Sequence, residues 1–227
     1  MNRTFAISDI HGNYKVFQSI LQKIDETDKV YVLGDVVDRG DRGFTILREM
    51  LSDSRFIVLK GNHEDMFRDD LKELRDFETR NYGHICNGGD PTTEEWQRES
   101  GNYEWIRVLK NLPLYQYYTN KEGKTLFLSH AGCTPPYDSE EDNLLWNRLH
   151  IRDDYNGFYD IVIHGHTPVP HILGGHTDKA WHILAGEGPL WYCENHKCCI
   201  DAGTYVTNIA YLLDLDTFKY EIIKGVE

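Results

Sequence analysis

Residues 30–40 read Val30-Tyr31-Val32-Leu33-Gly34-Asp35-Val36-Val37-Asp38-Arg39-Gly40. Four residues of strand-forming type run straight into a glycine and a carboxylate. This predicts a short buried strand that stops at a polar turn. The same event recurs on both sides of it. Upstream, Thr4-Phe5-Ala6-Ile7 runs into Ser8-Asp9-Ile10-His11-Gly12. Downstream, Phe56-Ile57-Val58-Leu59 runs into Lys60-Gly61-Asn62-His63-Glu64. Leu126-Phe127-Leu128 then runs into Ser129-His130-Ala131-Gly132, and Ile161-Val162-Ile163 into His164-Gly165-His166-Thr167. Between these strands, Phe17, Ile20, Leu21 and Ile24 carry the spacing of one buried helix face. Phe67, Leu71 and Leu74 repeat it, and Trp105, Val108, Leu109 and then Leu144, Leu145, Leu149 predict two further helices. Residues 198–223 read as strands and turns, with strands over Ile209–Leu215 and Tyr220–Ile223. The order is α/β in the first half and richer in strands in the second.

The chain has 227 residues, enough for one domain with a real core. Thirty-seven acids against 24 Lys and Arg give a formal charge of -13. That field repels polyanions, so neither a nucleic acid nor a membrane surface is expected as partner. No apolar run approaches the roughly 20 residues that span a bilayer. The N-terminus does not read as a signal peptide, and the expected location is cytoplasmic. The five cysteines, 86, 133, 193, 198 and 199, are odd in number with two adjacent. Reduced thiols fit that pattern better than a disulfide framework.

In α/β sheets, ligands sit beyond the carboxyl ends of the strands. Here those ends carry Asp9 and His11, Asp35, Asn62, His130 and His166. Turn chemistry explains an Asp or Asn at one strand end. It does not require histidine at three. Two carboxylates, one amide oxygen and three imidazoles form a mixed N/O set suited to Mn, Fe or Zn. Six side chains exceed what one open catalytic ion uses, whereas two ions bridged by a central carboxylate use them all. Asp35, in the middle of the set, is the natural bridge.

Asp9-Ile10-His11-Gly12, Gly34-Asp35 through Asp38-Arg39-Gly40, Gly61-Asn62-His63-Glu64, His130 and Gly165-His166-Thr167 together resemble the signature of the calcineurin-like metallophosphoesterase superfamily. The Asp-Arg-Gly and Asn-His-Glu forms resemble the bacterial and bacteriophage branch of the serine/threonine protein phosphatases. Asn87-Gly88-Gly89, Trp146-Asn147-Arg148 and Ile200-Asp201-Ala202-Gly203-Thr204 are further echoes. The likeness covers residues 4–168 and returns at 199–213. It implies an α/β sandwich of two mixed β-sheets flanked by helices, in a single domain over 1–227 with a helical cap at 64–113 and a rim insertion at 171–199. It also implies two divalent metal ions, Mn2+ first, with Fe or Zn as alternatives. Asp9, His11 and Asp35 would hold one ion, and Asp35, Asn62, His130 and His166 the other. His63 would be the proton donor, Asp38 its orienting carboxylate, and Arg39 and Arg148 the clamp on substrate phosphate.

The activity implied first is hydrolysis of phosphoserine or phosphothreonine, with phosphotyrosine as a further substrate, on a protein or peptide. The alternative is a symmetrical dinucleoside tetraphosphate hydrolase with the same metal ligands. That group tends to lack the acid of Asp38-Arg39 and to carry Asp at the place of Glu64, so both positions favour the phosphoprotein substrate. An inert metal scaffold would have lost a ligand or His63, and none is lost. Lys60 departs from an expected arginine, which puts a phosphate role there in doubt. His164 reads as a hydrogen-bonded strand-end histidine. Cys193, His196 and Cys198 match no closed zinc spacing, and residues 171–199 read as an extended loop or hairpin. The charged run Arg68-Asp69-Asp70, Lys72-Glu73, Arg75-Asp76 reads as a solvated helix face.

Overall fold

Each apolar run noted above becomes a strand, because alternate side chains on it find apolar cover on both faces. In the computed structural model, which describes residues 2–133, 141–148, 151 and 159–226, the elements run in this order. They begin β1 (Thr4–Ile7), α1 (Tyr14–Leu21), β2 (Lys29–Val32), α2 (Gly43–Ser52), β3 (Phe56–Val58) and α3 (Asn62–Phe77). Next come α4 (Tyr82–Cys86), α5 (Asp90–Glu99), α6 (Trp105–Lys110), β4 (Tyr115–Thr119), β5 (Thr125–Ser129) and α7 (Glu141–Trp146). The chain continues with β6 (Ile161–His164), α8 (Val169–Ile172), α9 (Asp178–Ala185), β7 (Leu190–Tyr192) and β8 (Lys197–Cys199). It closes with α10 (Thr204–Thr207), β9 (Ile209–Asp214) and β10 (Tyr220–Lys224).

Two five-stranded mixed sheets result, β10-β9-β1-β2-β3 and β4-β5-β6-β8-β7. In the first, β1, β2 and β3 are parallel and β9 and β10 antiparallel. In the second, β5, β6 and β8 are parallel and β4 and β7 antiparallel. The period of two decides the layers. Ala6 of β1 joins Leu126 and Leu128 of β5, Ile161 and Ile163 of β6, and Tyr211 and Leu213 of β9 in the core between the sheets. Phe5 and Ile7 face the other way, into a cluster with Phe17 and Ile20 of α1, Phe44 and Leu47 of α2, and Phe67 and Leu71 of α3. Phe127 and Val162 turn to a smaller outer cluster with Leu144 of α7. This is the two-sheet sandwich that the resemblance implied.

Several details differ from the sequence reading. The first helix covers Tyr14–Leu21, capped by Asn13, whose side chain accepts from the Val16 amide at 3.1 Å. Ile24 lies beyond it yet is still buried. Leu149 lies outside the described residues. Residues 171–199 are not simply a loop or hairpin. They contain helix α9 and the β7–β8 pair, and β8 runs parallel to β6 with Cys198 and Cys199 fully buried between the sheets. The charged face of α3 is solvated at Asp69, Lys72 and Arg75, but Asp70 is fully buried. Among the described residues no helix is long and apolar enough to cross a membrane.

Candidate active site

The carboxyl ends of the parallel strands in both sheets converge. Asp9, Asp35 and Asn62 follow β1, β2 and β3, while His130 and His166 follow β5 and β6. The backbone there is left-handed at Asp9 (φ 53°), His11 (47°), Asp35 (54°), Asp38 (71°), Arg39 (67°) and His166 (66°). Such angles are uncommon for residues with a Cβ and concentrate at functional sites. The packing leaves no slack. A Cβ on Gly61 would fall 2.1 Å from Asp35 Oδ1, and one on Gly165 2.1 Å from Asp9 Oδ2.

Three ligand-type atoms meet on the β3–β5–β6 side. His130 Nε2 is 2.8 Å from Asn62 Oδ1 and 3.1 Å from His166 Nδ1, and His166 Nδ1 is 3.1 Å from Asn62 Oδ1. His130 Nδ1 lies 2.8 Å from the Leu33 carbonyl and donates its proton there. Burial holds this imidazole below its usual pKa, so it is neutral and carries a single N–H. Its Nε2 therefore presents a lone pair to the Asn62 oxygen. That arrangement calls for a cation between them. Three donor atoms within 2.8–3.1 Å of one another could be shared by one divalent ion. Asp35 Oδ1 adds a fourth atom 3.4 Å from His130 Nε2.

The other wing centres on His11. Its Nδ1 lies 3.0 Å from the Val37 carbonyl, and burial, with Arg39 nearby, pushes its pKa well below normal. The neutral ring aims its Nε2 lone pair into the cleft, 3.6 Å from Asp35 Oδ2. The two oxygens of Asp35 thus face opposite wings. The grouping by proximity puts His11, Asp35 and His63 on one side and Asp35, His130 and His166 on the other. His63 accordingly faces the same space as the ligands, which the sequence reading did not anticipate. Asp9 sits between the sheets. Its Oδ2 accepts from the His166 amide at 3.1 Å and also contacts the Ser8 hydroxyl.

The cluster is rich in buried negative charge. Burial, reinforced by Asp9 and Glu64 and opposed by His63, pushes the Asp35 carboxyl well above the usual range. Burial beside Asp9 does the same to Asp201. Buried carboxylates in such proximity demand cations, and the lone-pair set described above fits divalent ones.

His63 and Asn62 open helix α3. The His63 amide donates to Asp35 Oδ1 at 3.0 Å, which satisfies one orphan donor of the first turn. The His63 ring meets Asp38 Oδ2 through Nδ1 at 2.7 Å. Arg39 forks across the cleft, with Nη1 2.9 Å from His11 Nε2 and Nη2 3.1 Å from His63 Nε2. Arg148 stands on the other wing, 3.4 Å from the Thr167 hydroxyl, next to His166. The two arginines stand on opposite wings of the centre.

Four residues acquire roles the sequence did not suggest. Glu64, fully buried, accepts the amides of Asp35 and Gly61 on Oε2 (both 2.8 Å) and of Val36 and Val37 on Oε1 (2.8 and 3.2 Å). It holds the Asp35 turn and touches no open space. His84 of α4 bonds the far oxygen of Asp38 at 3.0 Å. Asp201 follows β8, a sixth strand end of the same kind, and its oxygen accepts the Gly203 amide at 2.8 Å. Tyr205, 57% exposed, packs over the Arg39 guanidinium at 5.6 Å. Of these, Glu64 and Asp201 carried a sequence signal, in the Gly61–Glu64 and Ile200–Thr204 stretches.

The remaining expectations resolve locally. Lys60 is buried with Nζ 2.8 Å from Glu141, so its charge ties β3 to α7 rather than to phosphate. His164 is hydrogen-bonded, its Nε2 2.6 Å from the Tyr192 hydroxyl, and burial pushes its pKa down to about 4. Cys193, His196 and Cys198 do not gather among the described residues that could hold an ion.

Comparison with known proteins matches residues 3–198 to the family described as calcineurin-like phosphoesterase. A symmetrical bis(5'-nucleosyl)-tetraphosphatase of Salmonella arizonae is 33% identical over 140 residues, 60% of this chain and 45% of its own. The chain thus spans about half the length of the curated relatives it matches. Among solved structures, a candidate diadenosine tetraphosphatase superposes with a TM-score of 0.67 at 15% identity, over 100% of this chain and 95% of its own. A serine/threonine phosphatase of Saccharomyces cerevisiae with similarity to human PP5 gives 0.60 at 13%, over 100% and 81%. These two likenesses speak for the fold. The curated relatives overturn the expected phosphoprotein or phosphopeptide substrate and favour the nucleotide alternative. The structure shows why Glu64 was a poor guide: its side chain binds backbone amides and cannot read a substrate.

Proposed function

The chain belongs to the calcineurin-like phosphoesterase family, and on that premise we propose that it is a metal-dependent hydrolase of dinucleoside tetraphosphates, cutting them symmetrically. The observation that carries this reading is a pair of cavities, about 450 and 410 Å3, that share Tyr205 as a wall. The first is lined by Arg39, Asn87, Gly88 and Asp90, the second by His11, Asn13, Tyr14, Lys15 and Arg42. A dinucleoside tetraphosphate needs a cationic centre for its phosphates and room for a nucleoside at each end. The cavities flank the Arg39 fork and supply that shape. Arg39 lines the first cavity beside Asp90, and Lys15 and Arg42 line the second beside Asp41, so cationic side chains stand along the cleft within a chain of net charge -13.

We assign Asp9, His11 and Asp35 to one ion and Asp35, Asn62, His130 and His166 to the other, with Mn2+ expected and Fe or Zn as alternatives. Such ions, when bound, supply an activated water and neutralise phosphoryl oxygens. Within this chain, Arg39 binds phosphate oxygens by its planar fork, and Arg148 takes polyphosphate oxygens on the His166 wing. His63 hands a proton to the departing nucleoside diphosphate, and Asp38 keeps its Nδ1 occupied so that Nε2 is the donor. The relatives' names support the nucleotide substrate.

The test is product analysis with diadenosine tetraphosphate and added Mn2+. Two ADP per substrate is the expected outcome, with kcat/KM at least about tenfold above that for a phosphothreonine peptide. ATP plus AMP as products, or a faster reaction with the peptide, would overturn the proposal.

A further inference from the structure

A line of buried ionisable groups runs from His63 away from the cleft into the cap. His63 Nδ1 meets Asp38 Oδ2 at 2.7 Å, and Asp38 Oδ1 meets His84 Nε2 at 3.0 Å. His84 Nδ1 then lies 3.1 Å from Asp70 Oδ2, and Arg80 Nε grips both Asp70 oxygens at 2.8 and 2.9 Å. Asp38, His84 and Asp70 are each fully buried. From Asp38 through His84 and Asp70 to Arg80 the charges alternate in sign, and each buried carboxylate is shared between two partners.

His84 Nε2 is hydrogen-bonded to Asp38, and Nδ1 lies in ion-pair range of Asp70 without an aligned hydrogen bond, so a carboxylate beside each nitrogen favours the imidazolium. Burial alone would lower its pKa, but Asp38 and Asp70 outweigh that and push it up to about 9. The ring has no freedom to turn. Phe67 stacks on it at 5.6 Å, and a Cβ on Gly89 would come within 2.4 Å of it. Thr93 Oγ1 and the Asn81 amide, at 2.7 and 2.6 Å, fix Asp70 from behind. These partners come from α3, from α5 and from the residue before α4, so the cap is built around this contact.

We infer that His84 is a positioning residue for proton donation, which locks the far oxygen of Asp38 so that the near one holds His63 in its donating orientation. Without His84, the Asp38 carboxylate can rotate about its own axis, and the burial of its free oxygen goes uncompensated. The inference rests on His63 as the proton donor, and its test separates the two.

The experiment compares an alkyl phosphate, propyl phosphate, with p-nitrophenyl phosphate, whose leaving group needs little protonation. Wild type, His84→Gln, His63→Asn and the double variant are assayed as purified holoenzymes of measured metal content. Glutamine can bond Asp38 but carries no charge and cannot span both carboxylates. In His84→Gln, kcat on the alkyl ester is expected to fall about 10- to 100-fold, inside the range general acids supply. Turnover of the nitrophenyl ester should stay within about threefold, with KM unchanged on both. The double variant should be no slower on the alkyl ester than His63→Asn alone, because both changes remove one function. Should His84→Gln not fold, Asp70→Asn frees the other nitrogen and should show the same alkyl-selective loss. Equal losses on both esters, or additive losses in the double variant, overturn the inference. If His63→Asn is alkyl-selective and His84→Gln is not, the proton donor stands and the positioning role falls. If neither is selective, both fall.

Discussion

A buried imidazolium between two carboxylates should tie the stability of the fold to alkaline pH. The perturbation is His84→Gln, studied by urea unfolding beside wild type from pH 6 to 9.5 at constant metal content. His84 has a folded pKa of about 9 against an ordinary 6.5. A raised folded pKa stabilises fully below the unfolded value and loses its contribution as pH rises through the folded one. At 1.36 kcal/mol per pH unit, the interval from 6.5 to 9 corresponds to about 3 kcal/mol. His84 is fully buried, so solvent screening takes little from this figure. Wild type should therefore exceed His84→Gln by about 3 kcal/mol more at pH 6 than at pH 9.5. Taking the difference between the two proteins cancels the groups that titrate alike in both. A difference that stays flat across this window would mean a neutral His84 and would refute the alternating-charge reading of the cap.

Three further outcomes follow from the site. Replacing Asp35 by Asn should leave about one ion or fewer per chain by metal analysis and abolish turnover, since its two oxygens face the two wings; full occupancy with normal rate would remove it as the bridge. Tyr205→Ala should raise KM for diadenosine tetraphosphate about 5- to 100-fold through loss of base stacking, and leave KM for p-nitrophenyl phosphate unchanged; equal changes for both would deny a nucleoside contact. Glu64→Gln puts an amide NH2 against two backbone donors, which should cost roughly 2–5 kcal/mol in unfolding free energy, and wild-type stability in that variant would show that the four-amide clamp is dispensable.

Much of the fold was legible because its signals are local. The runs at Phe5, Tyr31, Ile57, Phe127 and Val162 are short strands, and each runs into a carboxylate, amide or imidazole. The convergence of Asp9, Asp35, Asn62, His130 and His166 was readable for the same reason, since each lies within a few residues of a strand end. The rest depended on contacts between distant segments. Nothing local in Lys197-Cys198-Cys199 says that it pairs with β6 as a parallel strand, so Asp201 surfaced only as a motif echo. Asp70 sits in a charged run whose other members are solvated, and only the approach of His84 and Arg80 explains its burial. His84 itself looks like any loop histidine until α4 docks on Asp38.

The misreading of substrate has a physical cause of the same kind. Asp38 and Glu64 were taken as markers of a phosphoprotein substrate, yet both side chains point into the protein. Glu64 spends its oxygens on four backbone amides, and Asp38 divides its own between His63 and His84. Under the proposed function, groups so engaged would govern how phosphate is attacked and how the leaving oxygen is protonated. Those demands are shared by a phosphothreonine and a nucleotide tetraphosphate. What distinguishes the two substrates is the body attached to the phosphate, and that body would meet Tyr205, Asn87, Asn13 and Tyr14 on the cavity walls. The first motif supplies the chemistry, and the specificity of this chain is to be sought in wall residues whose sequence context carries no comparable signal.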